Sequence, residues 1–192
     1  MGKIFCILGQ TSSGKSTIEK KLLEYFSYDN RVQSLISTTT RPMRDYEKQY
    51  DPYYFITELD FLNAKKDGQF AETASYRVSN GDTWYYGTLK KDIDLKHNNY
   101  IKVVNPCGYR KLINLYGEDV IGIYIHCKGK RRLLRSLHRE SDPNCSEICR
   151  RFLSDKEDFK GIANEVNYIV ANEGELQTVI AEVAHFIETF IS

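Results

Sequence analysis

One segment, Gly9-Gln10-Thr11-Ser12-Ser13-Gly14-Lys15-Ser16, constrains this chain more than any other. It fits the pattern G-x-x-x-x-G-K-[ST]. It lies between a short apolar run, Lys3 to Leu8, and a stretch where Ile18, Leu22, Leu23 and Phe26 recur at helical spacing. The reading is therefore strand, glycine loop, helix. Glycines let successive backbone N–H groups turn inward as a concave nest for phosphate oxygens. The helix N-terminus behind the loop adds its positive dipole end. Lys15 is expected to reach the β- and γ-phosphates and Ser16 to ligate magnesium, with Thr17 closing the contact run.

The rest of the chain alternates strand and helix signals. Val32 to Ile36, Tyr100 to Val104, Val120 to His126 and Tyr168 to Ala171 read as short buried strands. Helical patterns cover Tyr109–Leu115, a charged region from Lys128 to about residue 162 that breaks at Ser141–Asn144, and Leu176–Ile191. This alternation predicts a three-layer α/β fold, with a parallel sheet between helices. Ser37 to Tyr86 does not alternate this way and reads as a small inserted lobe. Its strand candidates are Tyr53–Ile56, Phe70–Val78 and Thr83–Tyr86. Thr57 is placed to cap a helix over Glu58–Lys66 that Gly68 would end.

Composition sets limits on partners. The 192 residues suit one domain, and the formal net charge of +1 leaves no global field for nucleic acid or membrane. Any bound anion must be held by local clusters. No apolar run is long enough to span a bilayer, and Met1–Leu8 is too short for a signal peptide, so the expected compartment is the cytoplasm. Five cysteines lack disulfide-framework spacing and read as reduced thiols. Cys145 and Cys149 would share a helix face near His138, but structural zinc usually shows two paired ligand sets, and packing accounts better for these thiols.

A phosphate loop does not by itself name a reaction. The discriminating segment is Ser37-Thr38-Thr39-Thr40-Arg41-Pro42-Met43-Arg44, followed by Glu47 and Tyr53-Tyr54-Phe55. Arg41 and Arg44 are close enough in sequence to converge on one dianion, which guanidinium forks suit. Pro42 stiffens the loop between them. Hydroxyls of Ser37 and Tyr53 could complete the shell.

The S-x-T-T-R-x-x-R-x-x-E run, the aromatics after it and the phosphate loop together resemble guanylate kinases, and the likeness continues along most of the chain in the same order. Phe70-Ala71-Glu72 looks like that family's segment whose glutamate reads guanine. Tyr85-Tyr86-Gly87-Thr88 looks like its element where a tyrosine meets the phosphate and a hydroxyl meets the base. Arg135, Arg139 and one or both of Arg150 and Arg151 resemble lid arginines. Val170-Ala171-Asn172 resembles the strand end beside the ATP adenine; the other reading of Asn172 is a strand-end turn residue.

The resemblance implies one guanylate-kinase-like domain with a P-loop core at about 1–36, 97–127 and 161–192. A monophosphate-binding lobe would cover about 37–90 and a helical lid about 128–160. ATP would lie on Gly9 to Thr17 and Asn172. The acceptor, GMP or dGMP, would lie on Ser37, Arg41, Arg44, Tyr53, Glu72, Tyr86, Thr88 and Asn105. Lys15, Arg41, Arg135, Arg139 and Arg151 would carry catalysis with Mg2+ at Ser16, in a monomer or homodimer.

The pattern also departs from the family. Typical members carry an Asp-x-Asp pair where this chain has Val103-Val104-Asn105, so two carboxylates are lost. Tyr46 replaces a usual glycine, and the Tyr76–Asp82 stretch is a few residues longer than is usual in the family. A kinase for another base or small phosphate ester, and a catalytically silent binding module, are the alternatives these departures leave open.

Overall fold

The structure is a computed structural model that describes residues 1–45, 47–78, 81–139 and 141–191. Tyr46, and the Ser79–Asn80 part of the long Tyr76–Asp82 stretch, lie outside the described residues.

Five strands, β1 (Ile4–Leu8), β2 (Val32–Ser34), β8 (Asn99–Val103), β9 (Val120–His126) and β10 (Tyr168–Ala171), form the central sheet in the order β10-β9-β1-β8-β2. Every neighbouring pair is parallel. β1 is buried along its whole length, as expected for a strand covered on both faces. Its residues alternate between two apolar clusters. Phe5 and Ile7 pack with Ile18, Leu22 and Phe26 of α1 (Lys15–Phe26) and with Val179, Val183 and Ile187 of α6 (Leu176–Glu188). Ile4, Cys6 and Leu8 face the opposite way, onto Tyr109 and Leu112 of α3 (Pro106–Tyr116). The result is the expected three-layer α/β fold, with the phosphate loop leaving the carboxyl end of the central strand.

A second five-stranded sheet is built from β3 (Ser37–Thr39), β4 (Lys48–Gln49), β5 (Pro52–Phe55), β6 (Phe70–Arg77) and β7 (Thr83–Leu89), in the order β4-β5-β3-β7-β6. β3 and β4 were not anticipated: both are short, and β3 is a hydroxyl-rich segment without apolar alternation. β3 runs parallel to β5 and antiparallel to β7, which is antiparallel to β6. Helix α2 (Glu58–Lys66) starts where Thr57 Oγ1 accepts from Asp60 N. It stops at Gly68, whose φ of +67° suits glycine. α2 buries Phe61 against Phe70 and Leu89 on one face of the second sheet.

The charged region is two helices, α4 (Gly129–Leu137) and α5 (Cys145–Asp158). Among the described residues no helix is long and apolar enough to cross a membrane.

Candidate active site

The glycine loop has a shape that larger side chains would fill. A Cβ on Gly9 would stand 2.5 Å from Ser13 Oγ and 2.8 Å from the Ile125 carbonyl oxygen. Gly14 has φ +101°, and a Cβ there would meet Asn172 Nδ2 at 2.3 Å. Lys15 Nζ donates to the Gln10 carbonyl at 3.0 Å and so spans the loop. Burial pushes its pKa down to about 8, with the charge of nearby Asp155 opposing the shift. Ser13 Oγ is fully buried and has no hydrogen-bond partner among the described residues. An unpaired buried hydroxyl in a glycine loop at a helix N-terminus suits an oxygen-rich ligand.

Several residues brace the loop from outside. Asn172, at the end of β10, donates from Nδ2 to the Ser13 carbonyl at 2.7 Å. Arg135 Nη1 and Nη2 reach the carbonyls of Ser13 and Asn172 at 3.4 and 3.3 Å. From α4 and α5 come three contacts that the sequence reading missed. Ser136 Oγ lies 2.7 Å from Ser12 Oγ, Asp155 Oδ2 accepts from Thr11 N at 2.5 Å, and Arg132 Nη1 donates to the Thr11 carbonyl at 3.3 Å. Arg132 is buried beneath the Phe152 ring and 3.5 Å from Asp155. Arg132 and Ser136 are four residues apart and therefore share the inner face of α4.

The second sheet presents a polar face opposite its α2 side. Strand register puts Ser37 beside Tyr53, Thr39 beside Tyr86, Ala74 beside Tyr86 and Glu72 beside Thr88. Paired residues on neighbouring strands share a face, as do residues two apart along one strand, so Ser37, Tyr53, Glu72, Tyr86 and Thr88 gather on one surface. An irregularity between Phe70 and Glu72 turns Phe70 under α2 while Glu72 stays on the polar face. Thr88 Oγ1 donates to Glu72 Oε1 at 2.6 Å, and both residues are buried. The Tyr53 and Tyr86 rings meet edge-on at 5.7 Å.

Arg41 borders this face but is already engaged. Its Nη2 donates to Glu47 Oε1 and Oε2 at 2.7 and 2.9 Å, and its guanidinium lies 5.4 Å from the Tyr53 ring centre and 5.5 Å from that of Phe55. Arg41 holds the Glu47 carboxyl below its usual range, helped by the Arg44 backbone N–H. The Arg44 side chain is exposed on the same loop.

Where the Asp-x-Asp pair is lost, the chain has a different arrangement. Asn105 caps α3, its Oδ1 accepting from Gly108 N at 2.7 Å, while its Nδ2 donates to Tyr76 Oη. Its carbonyl therefore serves the helix. Glu19, one turn after Ser16 on α1, accepts from Val103 N at 3.2 Å, and burial raises its pKa. Its carboxylate therefore stands at the end of β8, where the sequence carries no carboxylate of its own at 103–105.

The structure thus gathers the loop residues, Arg135 and Asn172 at one end of the central sheet, and Ser37, Arg41, Tyr53, Glu72, Tyr86 and Thr88 on and around one face of the second. Arg139 is exposed just past α4. Arg151 is exposed on α5, where it shares Glu147 with Arg150 at 2.7 Å each. These two arginines are not brought to the loop.

Ser16 is exposed on the first turn of α1. Among the described residues no group of three His, Cys, Asp or Glu side chains could hold a metal ion by itself. The Ser16 hydroxyl at the end of the glycine loop is an oxygen donor of the kind magnesium takes, since that ion keeps several waters and draws much of its coordination from nucleotide phosphates.

A family model described as guanylate kinase matches residues 1–190. The guanylate kinase of Mycoplasma genitalium is 31% identical over 175 residues, covering 90% of this chain and 70% of that one. That of Rickettsia felis is 29% identical over 180 residues, covering 93% and 89%. The crystal structure of guanylate kinase from Anaplasma phagocytophilum aligns with a TM-score of 0.71 at 22% identity, covering 99% of this chain and 86% of that one; at that identity it speaks for the fold. With a family match over nearly its whole length, this chain belongs to the guanylate kinase family.

Proposed function

We infer that this protein transfers the γ-phosphoryl group of ATP to GMP or dGMP, giving ADP and GDP or dGDP. The observation that carries this reading is the buried Glu72–Thr88 pair on the same face as Ser37, Tyr53 and Tyr86. Guanine offers N1–H and N2–H, and a buried carboxylate accepts both where adenine offers no such pair. Thr88, by donating to Oε1, orients Glu72 for that purpose.

The acceptor phosphate would lie at the other end of the face, between the hydroxyls of Ser37, Tyr53 and Tyr86 and the Arg41–Arg44 loop. ATP would lie in the glycine loop, with backbone amides and Lys15 on its phosphates. Mg2+ on the Ser16 hydroxyl would supply charge neutralisation for the transferring group. Phosphoryl transfer needs little covalent help, so positioning and charge do most of the work. No protein base is required.

The segments at about 37–90 and 128–160 act as the acceptor lobe and the lid. Each must move for Arg44, Arg139 or Arg151 to meet the phosphates, and closure also excludes water that would otherwise hydrolyse ATP. Nothing in this chemistry calls for nucleic acid or membrane, and a cytoplasmic enzyme of purine nucleotide metabolism is the matching role. Phosphorus NMR of ATP, Mg2+ and GMP incubated with the enzyme tests the reaction. The β-phosphorus of GDP should appear as ATP is consumed; ATP breakdown to ADP and free phosphate alone would contradict it.

A further inference from the structure

Lys102 has no place in the account so far. It sits in β8 opposite Cys6 of β1, with 2% of its surface exposed. A buried ammonium is costly unless its donors are satisfied, and burial lowers the Lys102 pKa against the opposing charges of Glu72 and Glu19. Its partners explain why it persists. Nζ donates to Ser37 Oγ at 2.6 Å and to the Leu35 carbonyl at 3.3 Å, and Glu72 Oε1 stands 3.9 Å away. Ser37 opens β3 and Glu72 lies in β6, so one side chain of the central sheet touches both ends of the polar face on the second.

The chemistry of the first contact fixes a direction. An ammonium has three donors and no acceptor, so Ser37 Oγ must accept from it. The Ser37 proton then points away from Lys102, and the hydroxyl is presented as a donor. At the other end, the ammonium and Thr88 both address Oε1 of Glu72, leaving Oε2 on the Gly108 side.

We propose that Lys102 is a positioning residue for the acceptor nucleotide, directing the Ser37 hydroxyl to its phosphate and holding Glu72 for its base. This rests on Ser37 and Glu72 being acceptor contacts, as read above. Lys102 would then link phosphate recognition to base recognition through one core strand.

Steady-state kinetics with ATP-Mg and GMP on the full chain test it, using K102M, S37A and the double variant. Methionine is unbranched and fills similar space, although removing one partner of a buried ion pair costs stability. Removing the charged donor should raise the GMP KM about tenfold or more while the ATP KM stays within about twofold. S37A should cost several-fold in the wild type and little further in K102M, because the two act as one unit. K102Q, which keeps a donor, should recover part of the lost GMP affinity, and it takes the place of K102M if that variant does not fold. An unchanged GMP KM, equal rises in both KM values, or additive effects of K102M and S37A would overturn the proposal while leaving the kinase reading intact. Failure of the wild type to phosphorylate GMP would overturn both.

Discussion

Both carboxylate oxygens of Glu47 accept from Nη2 of Arg41, at 2.7 and 2.9 Å, and the two side chains are 4% and 6% exposed. The guanidinium that the sequence offers to an acceptor phosphate is therefore held by a carboxylate and stacked near two aromatic rings. Glu47 and the Pro42 carbonyl, which accepts from Nη1 at 2.8 Å, together fix where Arg41 points.

Replacing Arg41 by alanine should raise the GMP KM on the order of ten- to a hundredfold, the effect of losing charged hydrogen bonds to phosphate. The ATP KM should move less than about twofold. Steady-state kinetics with each substrate varied separately will show this, and a near-wild-type GMP KM would place the acceptor phosphate elsewhere.

Gly108 offers a sharper probe of the base end. A Cβ there would stand 3.1 Å from Glu72 Oε2 and 3.3 Å from Asn105 Oδ1. Gly108→Ala should therefore push Glu72 aside and raise the GMP KM several-fold. Because alanine favours helix over glycine by up to about 1 kcal/mol, the melting temperature should not fall. Lower acceptor affinity in a variant at least as stable marks an effect on the site; unchanged kinetics would mean that Glu72 does not touch the base.

Asn172 distinguishes bracing from base contact. Its amide donates to the Ser13 carbonyl in a buried setting, so Asn172→Ala should cost about 1–2 kcal/mol. For a chain of this size each kcal/mol is about 2–4 °C of melting temperature. The ATP KM should rise with it as the loop loosens. A shift in ATP-over-GTP donor preference at unchanged melting temperature would instead identify an adenine contact.

Helix α5 carries a pH-dependent element. Hydrogen bonds from Arg150 and then Arg151 hold the Glu147 carboxyl down at about 2, below the ordinary 4.5. A depressed carboxyl stabilises the fold fully above its unfolded pKa and loses that contribution as pH falls toward 2. These groups are one third to one half exposed, so solvent screening limits the effect to about 1 kcal/mol or less. Glu147→Gln should melt slightly lower than wild type at pH 7, with the difference mostly gone near pH 2. A gap that persists at pH 2 would contradict the ion-pair origin.

Much of the fold was legible because periodicity and caps are local signals. Val120–His126 and Tyr168–Ala171 are strands over the residues predicted, and Thr57 caps α2 as its spacing suggests. The Ser37–Thr39 strand was not legible, since its pairing with β5 and β7 is non-local and hydroxyl-rich segments read as loops. Within the candidate site, the loop residues and those of the polar face could be named from motif order. Lys102, Glu19 and Asp155 could not: a lone lysine in an apolar run reads as a solvent-facing residue, and its partners Leu35, Ser37 and Glu72 are distant in sequence. The inward turn of Arg132 was hidden for a similar reason, because a basic run conceals which of its members shares a face with Ser136.

The central claim is best tested by ADP release from ATP-Mg with GMP, dGMP, AMP, CMP, UMP and dTMP offered separately. Preferential turnover of GMP or dGMP is the predicted result, and it would show that Glu72 and Thr88 read guanine without the Asp-x-Asp pair. Turnover of another base in preference to guanine, or no turnover of any despite measured ATP binding, would contradict the account.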